Sequence, residues 1–314
     1  MKLSFTTLDV FTKTPFSGNA LAIVRVPHSH RTILTEEQKQ KIANEFNLSE
    51  TVFLHEAGDG GEVADYDIFT ARSRMSFAGH PTIGTAIHLA STLRESYPLT
   101  TTLRTIAGSL PLAYDSNTGI ASVRLPHDVH EHAARLPHPA PSSRPTPESP
   151  SDVPIVSIVK GMAFALVPLK STSALGSISA GLLAAAEVYD AKHLDAGSGW
   201  DVGFTGTFYY VDMGIDDYDG DGRPRRLLRT RMLVSREDPG TGSASSALCC
   251  YLALLERTEK GKGPFAFHLV QGVELGRRCD IFVDVVRTED GGAVEEVVLK
   301  GTAVEVMDGI VNVP

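Results

Sequence analysis

Cysteine is scarce in this sequence, and the few cysteines form no recognisable pattern. Only Cys249, Cys250 and Cys279 occur among 314 residues. Three thiols cannot supply a disulfide framework, and their spacing matches no thiolate metal cluster. The adjacent pair lies inside an apolar stretch, so we expect both side chains to lie in a protein core.

Long apolar runs and an excess of positive charge are also missing. No stretch reaches the roughly 18–20 apolar residues of a membrane span, and the first residues lack the apolar run of a signal peptide. The formal net charge is −9, which argues against electrostatic binding to nucleic acid or to an anionic membrane. We therefore expect a soluble, cytoplasmic protein with neither of these as a partner.

Signatures of cofactor and metal binding are lacking too. No nicotinamide or flavin fingerprint occurs, and the GTGS tetrapeptide at 240–243 is not followed by the Lys-Ser/Thr of a phosphate loop. Segment 217–228 begins like a calcium loop, but Leu228 stands where such a loop needs a bidentate acid. We interpret that segment as a hairpin loop and predict neither a cofactor nor a metal.

Two stretches of small and apolar residues stand out, each directly after a turn containing Gly and Pro. They are SFAGHPTIGTAIHLASTL (76–93) and REDPGTGSASSALCCYLALLE (236–256). A helix that is apolar on all sides is normally buried, and the N–H groups of its first turn then need partners. We predict buried helices over 80–93 and 241–255, whose N-termini form an anion site.

Strand-like segments flank both predicted helices in the same order. This pattern predicts an α+β fold of two similar lobes, each a curved, mostly antiparallel sheet or barrel around one apolar helix, with an active-site cleft between them. The lobes would span 1–125 and 153–301, and residues from about 302 to 314 could pack back on the first. Within the first lobe, Thr35 and Gln38 form a capping-box pattern at the start of a helix.

Segment 126–152, between the two lobes, is rich in proline and histidine. It shows no helical or strand period, so we expect a linker or a surface insertion. Its histidines are His127, His130, His132 and His138. They lack paired cysteines and a regular helical spacing, so we interpret them as part of a solvated loop rather than as a metal-binding tract.

Three polar residues near the apolar helices are candidate catalytic groups. Glu50 shares one face of a strand pattern with Leu48 and Val52, so we expect its carboxyl to point inward. From the residues alone, a salt-bridged or capping carboxylate competes with an acid–base group whose pKa is raised by burial. His80 and Asp238 are consistent with ordinary caps, although a neutral His80 could hydrogen-bond a substrate.

Six stretches of the sequence follow one another in the order found in a known family. They are DVFTKTPFSGNALAIV (9–24), NLSETVF (47–53), FAGHPTIGTA (77–86), GMAFALVPL (161–169), EDPGTGSA (237–244) and QGVELGRRCDIFV (271–283). In these stretches the chain resembles the PhzF-like phenazine-biosynthesis isomerases, which have a diaminopimelate-epimerase-like fold. The resemblance implies two similar lobes, a cleft between them and a homodimer.

The resemblance also implies roles for individual residues. It makes Glu50 the proton shuttle and places His80 and Asp238 in the cleft, where they orient the substrate. The substrate-binding residues that it implies are Ser49, Gly79, Thr241, Gly242 and Ser243, with backbone N–H groups and a hydroxyl holding a carboxylate. Three positions depart from the family pattern, Ala20, Arg74 and Gly240, and Arg74 would reverse a charge near the cleft.

The helix turns carry no cysteine, which disfavours a racemase that uses two thiols. One carboxylate that moves a proton between two carbons fits better. We predict a cofactor-independent isomerase of secondary metabolism that acts on a small carboxylate-bearing substrate. Two alternatives remain open: an epimerase or cyclase that uses the same Glu50, and a catalytically idle small-molecule binding protein of the same fold. The intact set of Glu50, His80 and Asp238 argues against the second.

Overall fold

The structure is a computed structural model that describes residues 1–56, 61–97, 100–139 and 151–314. The chain divides into two compact units. The first contains Met1–Pro126 and Leu299–Pro314, and the second contains His127–Val298. In the described residues, no helix is long and apolar enough to cross a membrane.

Strands make up most of the regular structure in the described residues. In chain order they are β1 (Lys2–Val10), β2 (Asn19–Val26), β3 (Thr51–His55), β4 (Val63–Phe69), β5 (Arg74–Met75), β6 (Thr102–Thr105), β7 (Gly108–Asp115), β8 (Ile120–Arg124), β9 (His130–Pro137), β10 (Asp152–Val159), β11 (Gly161–Pro168), β12 (Gly203–Tyr218), β13 (Pro224–Leu233), β14 (Glu237–Asp238), β15 (Phe265–Gln271), β16 (Cys279–Arg287), β17 (Val294–Gly301) and β18 (Ala303–Asn312). The α-helices are α1 (Glu36–Phe46), α2 (Gly79–Ala90), α3 (Thr172–Gly176) and α4 (Gly242–Leu254).

The first unit is built on a mixed, mainly antiparallel sheet. Its strand order is β18-β1-β2-β3-β4-β6-β7-β8. Only the β2–β3 and β4–β6 pairs are parallel, while the short strand β5 folds back antiparallel on β4. Helix α2 begins at Gly79, and three residues connect it to the end of β5.

The second unit repeats the same pairing scheme. Its strand order is β9-β10-β11-β12-β13-β15-β16, with parallel pairs at β11–β12 and β13–β15. The short strand β14 folds back antiparallel on β13, and helix α4 follows it. Both units therefore place an apolar helix directly after a two-residue strand. The mixed sheet agrees with the predicted class, whereas the predicted cleft stays a prediction.

Helices α2 and α4 are buried on every side, as their composition predicts. Every residue from Gly79 to Leu89 is buried, and so is every residue from Gly242 to Cys250. Helix α2 packs on β1, β2, β3, β7, β8 and β18 of its own unit, and α4 on β10, β11, β15 and β16 of its own. The helices begin at Gly79 and Gly242, within two residues of the predicted starts.

Gly84 shows how closely α2 approaches the sheet. A Cβ atom at this position would lie 2.5 Å from Cδ2 of Leu21 and 2.9 Å from Cγ2 of Val10. Both neighbours are fully buried. Glycine is therefore required here by the close contact of the helix with β1 and β2.

The capping box predicted for α1 is confirmed. The hydroxyl of Thr35 accepts a hydrogen bond from the N–H of Gln38 at 3.2 Å, and the Gln38 side chain accepts one from the N–H of Thr35 at 3.0 Å. The predicted hairpin loop is confirmed as well, because Tyr218 pairs with Pro224. In its turn, the Asp219 carboxylate accepts hydrogen bonds from the side chain and backbone of Arg223.

The interpretation of 126–152 as a linker without strand structure is wrong for its first half. Residues His130–Pro137 form β9, which pairs with β10. The side chains at 130, 132, 134 and 136 face inward, but two of them are histidines and one is alanine, so no apolar alternation is visible. His132 and His138 are only 2% and 6% exposed, so these two do not belong to a solvated loop. Residues 140–150 lie outside the described residues.

Candidate active site

Glu50 lies in the short connection between α1 and β3, directly before the first residue of the strand. Asn47 ends that helix in the left-handed conformation (φ 49°), which asparagine tolerates better than most residues. The strand begins only at Thr51, so the predicted strand face shared by Leu48, Glu50 and Val52 is wrong at its first two members. The Glu50 side chain is nevertheless mostly buried, with 16% of it exposed.

His80 is the second residue of α2, and its side chain is only 4% exposed. Its Nδ1 atom lies 3.1 Å from Oε2 of Glu50, which is within hydrogen-bonding distance. The helix begins at Gly79, so Pro81 is its third residue. This position still suits proline, because the N–H groups of a first turn have no partner within the helix.

Glu50 and His80 form their contact at the N-terminal end of α2. The positive end of the helix dipole disfavours an imidazolium in the first turn and stabilises a nearby carboxylate. The N-cap residue Ala78 has no polar side chain and makes no side-chain capping bond. This corner of the first unit thus combines a carboxylate, an imidazole and the start of a buried helix.

A second polar cluster surrounds the start of α4. Asp238 ends β14, and its Oδ2 accepts a hydrogen bond from the hydroxyl of Thr241. Thr241 is the N-cap of α4, yet its side chain does not cap the helix. Instead, the hydroxyl is held between Asp238 and the side-chain amide of Gln271, whose Nε2 lies 3.0 Å away. Ser243, in the first turn of the helix, is 4% exposed.

Gln271 is the site residue that sequence reasoning missed. Its side chain is completely buried. The amide nitrogen donates to the carbonyl of Asp238 at 2.8 Å, and the amide oxygen accepts from the N–H of Thr241 at 3.1 Å. One side chain therefore fixes both ends of the turn between β14 and α4. The only signal in the sequence was its position at the start of the QGVELG motif.

The two acids of the Glu237–Asp238 pair have different surroundings. Glu237 forms a two-point ion pair with Arg231, with distances of 2.8 and 2.7 Å. Nη1 of the same arginine donates to the carbonyls of Leu175 and Ile178. Both carboxylate oxygens of Glu237 therefore bind Arg231, which holds β14 in place. Asp238 instead contacts Thr241 in the turn that precedes α4. Sequence spacing alone cannot distinguish these two roles.

The positive charge of Arg74 is compensated within the first unit. Its guanidinium contacts Asp67 and lies 3.0 Å from Oε2 of Glu36. Asp67 is also held by Lys39 at 2.6 Å and by His55 at 2.7 Å. Burial raises the pKa of Asp67, but the hydrogen bonds from His55 and Lys39 outweigh this effect and hold the pKa well below its usual range.

The thiols have no place in either cluster. Cys249 and Cys250 lie in the second half of α4, Cys279 starts β16, and all three are fully buried. Burial raises the pKa of Cys249 and Cys250, so both stay protonated near neutral pH. The expectation that they are core residues is confirmed.

The predicted site residues fall into two groups. Ser49, Glu50, Gly79 and His80 belong to the first unit, and the structure brings Glu50 and His80 together. Asp238, Thr241, Gly242 and Ser243 belong to the second unit, where Asp238 and Thr241 are hydrogen-bonded. That all of them form one site stays a prediction.

Comparison with known proteins identifies the relatives of this chain. The sequence profile of the phenazine biosynthesis-like protein family, PhzC-PhzF, matches residues 8–197 and 232–309. An uncharacterized isomerase of Mesorhizobium japonicum is 29% identical over 96% of both chains. The trans-2,3-dihydro-3-hydroxyanthranilate isomerase of Pseudomonas aeruginosa is 28% identical over 92% of this chain and 91% of its own. The crystal structure of a PhzF-family protein from Bacillus anthracis matches with a TM-score of 0.68 and 19% identity, over 99% of both chains.

Proposed function

The chain belongs to the phenazine biosynthesis-like PhzC-PhzF family and is an isomerase, and from this premise we propose that Glu50 is its single acid–base group. The substrate is a small metabolite that carries a carboxylate. Glu50 removes a proton from one carbon of this substrate and returns it to another.

The contact between Glu50 and His80 carries this proposal. A base that must also act as an acid needs a carboxyl group that is shielded from bulk water and held at one place. Glu50 is 16% exposed, and the imidazole of His80 lies 3.1 Å from its carboxylate. The start of a buried helix beside the pair adds a positive dipole end, which stabilises negative charge that develops on the substrate.

The chemical step conserves atoms and electrons within the substrate. The Glu50 carboxylate takes a proton from a C–H bond next to a double bond, and the electron pair of that bond moves to form a new double bond. The original double bond shifts its electrons to a more distant carbon, which then receives the proton from the Glu50 carboxylic acid. The net change is a proton shift with the carboxylate regenerated, so no redox partner is required.

The other polar groups bind and orient the substrate in this proposal. His80 hydrogen-bonds Glu50 and the substrate, and Asp238 orients the substrate from the turn that Gln271 fixes. The first-turn N–H groups at Gly79, Gly242 and Ser243 bind the substrate carboxylate. Neither helix receives a side-chain capping bond from its N-cap residue, which is consistent with this use.

The test is the substitution Glu50→Gln, which keeps the shape of the side chain and removes its titrating group. Loss of general acid–base catalysis costs on the order of 100- to 10,000-fold in turnover. Isomerisation would be followed by NMR with trans-2,3-dihydro-3-hydroxyanthranilate, the compound in the names of several relatives, and with a panel of related cyclic carboxylic acids. Binding of the active compound would be measured by calorimetry and should persist in the variant.

Glu56→Gln is the matched control. Glu56 follows the far end of β3 and pairs with Arg25 at 2.7 Å, so the substitution removes a carboxylate from the same segment of the same unit. Turnover of this variant should remain close to that of the unsubstituted protein, because Glu56 has no part in the proposed proton transfer and its partly exposed ion pair contributes little to the stability of the fold. Near-native turnover by Glu50→Gln would contradict the proposal.

A further inference from the structure

Three potential metal ligands, one buried and two partly exposed, meet in the second unit, away from Asp238 and α4 in the sequence. They are His130 and His132 on β9, and Asp195 in the segment after β11. One ligand atom from each lies within 4.8 Å of the other two. Because β9 is a strand, residues two apart face the same side, so both imidazoles point toward Asp195.

The distances between the ligand atoms suit a divalent transition metal. Nε2 of His130 lies 2.7 Å from Oδ2 of Asp195, and Nδ1 of His132 lies 3.7 Å from the same oxygen. In a tetrahedral zinc site with bonds of about 2.0–2.1 Å, neighbouring ligand atoms are about 3.3 Å apart. The observed separations bracket this value, so an ion requires small side-chain adjustments and no change of strand register.

The hydrogen-bond partners of His132 define which ring nitrogen carries the hydrogen. The backbone N–H of Asp195 donates to Nδ1 of His132 at 3.3 Å, so this nitrogen carries a lone pair, and a metal bound there would replace this long hydrogen bond. The other ring nitrogen, Nε2, then carries the hydrogen and donates to the hydroxyl of Ser157 at 2.9 Å. Such a hydrogen bond from the remote ring nitrogen is the usual way in which proteins orient a histidine ligand.

The remaining two ligands are held in place as well. Oδ1 of Asp195 accepts a hydrogen bond from the N–H of Ala133 at 3.0 Å, which leaves Oδ2 for the metal. The ring of Trp200 stacks on His130 with 4.5 Å between centroids and 10° between planes. This stacking limits the orientation of a side chain that is 30% exposed.

We propose that His130, His132 and Asp195 form a binding site for a divalent transition-metal ion of the zinc type. Two imidazole nitrogens and one carboxylate oxygen are a ligand set that this ion favours over Mg²⁺ or Ca²⁺, which prefer oxygen ligands. On binding, Nε2 of His130 gives up its hydrogen bond to Asp195, and the ring hydrogen moves to Nδ1, so that the lone pair of Nε2 binds the metal. The ion would tie the irregular segment around Asp195 to β9, and its role is independent of Glu50.

The test is calorimetric titration of the metal-free protein with Zn²⁺, accompanied by the visible spectrum of a Co²⁺ complex. We expect one ion per chain and a Co²⁺ spectrum typical of a four-coordinate site. His130→Gln and Asp195→Asn each remove one ligand from a partly exposed position, so the fold should survive, as checked by circular dichroism. Each variant should bind Zn²⁺ at least tenfold more weakly, because even the loss of an outer hydrogen bond costs about 10- to 100-fold.

His268→Gln is the control, because His268 forms another histidine–aspartate pair in the same unit. Its Nε2 lies 2.8 Å from Oδ1 of Asp280, and Arg278 occupies that carboxylate as well. This variant should bind Zn²⁺ with unchanged affinity. The proposal is overturned if the unsubstituted protein binds no stoichiometric Zn²⁺, if it binds Mg²⁺ or Ca²⁺ equally well, or if the two ligand variants bind Zn²⁺ as tightly as the control.

Discussion

Replacing Arg231 by methionine tests whether its ion pair anchors the strand that carries Asp238. Arg231 is 6% exposed and donates to both carboxylate oxygens of Glu237 and to the carbonyls of Leu175 and Ile178. The side chain of Glu237 is 14% exposed. The substitution would therefore leave a largely buried carboxylate and two backbone carbonyls without this donor.

The expected loss follows from these contacts. Removing one partner of a buried ion pair typically costs 3–5 kcal/mol, because the remaining charge stays desolvated. We expect Arg231→Met to lower the free energy of unfolding by about 3–5 kcal/mol. Replacing both partners, as in Arg231→Met with Glu237→Leu, removes the stranded charge. The double variant should therefore be more stable than the single variant by at least about 2 kcal/mol.

Urea denaturation followed by circular dichroism is the assay, with the midpoint and slope recorded for all three proteins. The slope of the free energy of unfolding against urea concentration must be compared among the three proteins, because a chain with two compact units can unfold in more than one step. The reasoning is refuted if the single variant unfolds within 1 kcal/mol of the unsubstituted protein. It is also refuted if the double variant is no more stable than the single one.

Two further predictions concern packing and pH. Gly84→Ala should destabilise the protein by about 1–3 kcal/mol, because the new Cβ atom meets Leu21 and Val10 at 2.5 and 2.9 Å. Gly176→Ala, where no heavy atom lies within 4 Å, should have little effect, and equal urea midpoints for the two would contradict the packing argument. Burial raises the pKa of Asp280, but hydrogen bonds from His268 and Arg278 outweigh this effect and lower the pKa to about 2, from an ordinary value of 3.8. The ionised Asp280 carboxylate therefore stabilises the folded state above about pH 4, and this stabilisation is lost as the pH falls from 4 to 2. Asp280→Asn should reduce the dependence of the urea midpoint on pH between pH 4 and 2. An unchanged dependence would count against this assignment.

The two buried helices could be predicted because their signal is local. A helix formed by a run of small and apolar residues has no polar face, so its burial can be predicted from that run alone. The capping box of α1 is equally local, since Thr35 and Gln38 are three residues apart. The order of strand-like segments predicted a mostly antiparallel sheet, and its parallel pairs became visible only in the structure.

The parts that sequence reasoning missed depend on partners distant in the chain. The sequence predicts a linker where the structure has β9, because histidine and alanine occupy inward positions, and only pairing with β10 reveals the strand. Gln271 contacts residues 30 and 33 positions earlier. The separate roles of Glu237 and Asp238 likewise depend on Arg231, which no local pattern connects to them.

Deuterium labelling tests the central claim, that Glu50 carries the proton, most directly. The unsubstituted enzyme, incubated with its substrate in deuterated water, should give product with deuterium at the carbon that receives the proton, diluted where the carboxyl retains the original hydrogen. Glu50→Gln should bind the same substrate and form no labelled product above background over the same interval. Labelled product formed by Glu50→Gln at the rate of the unsubstituted enzyme would contradict the account.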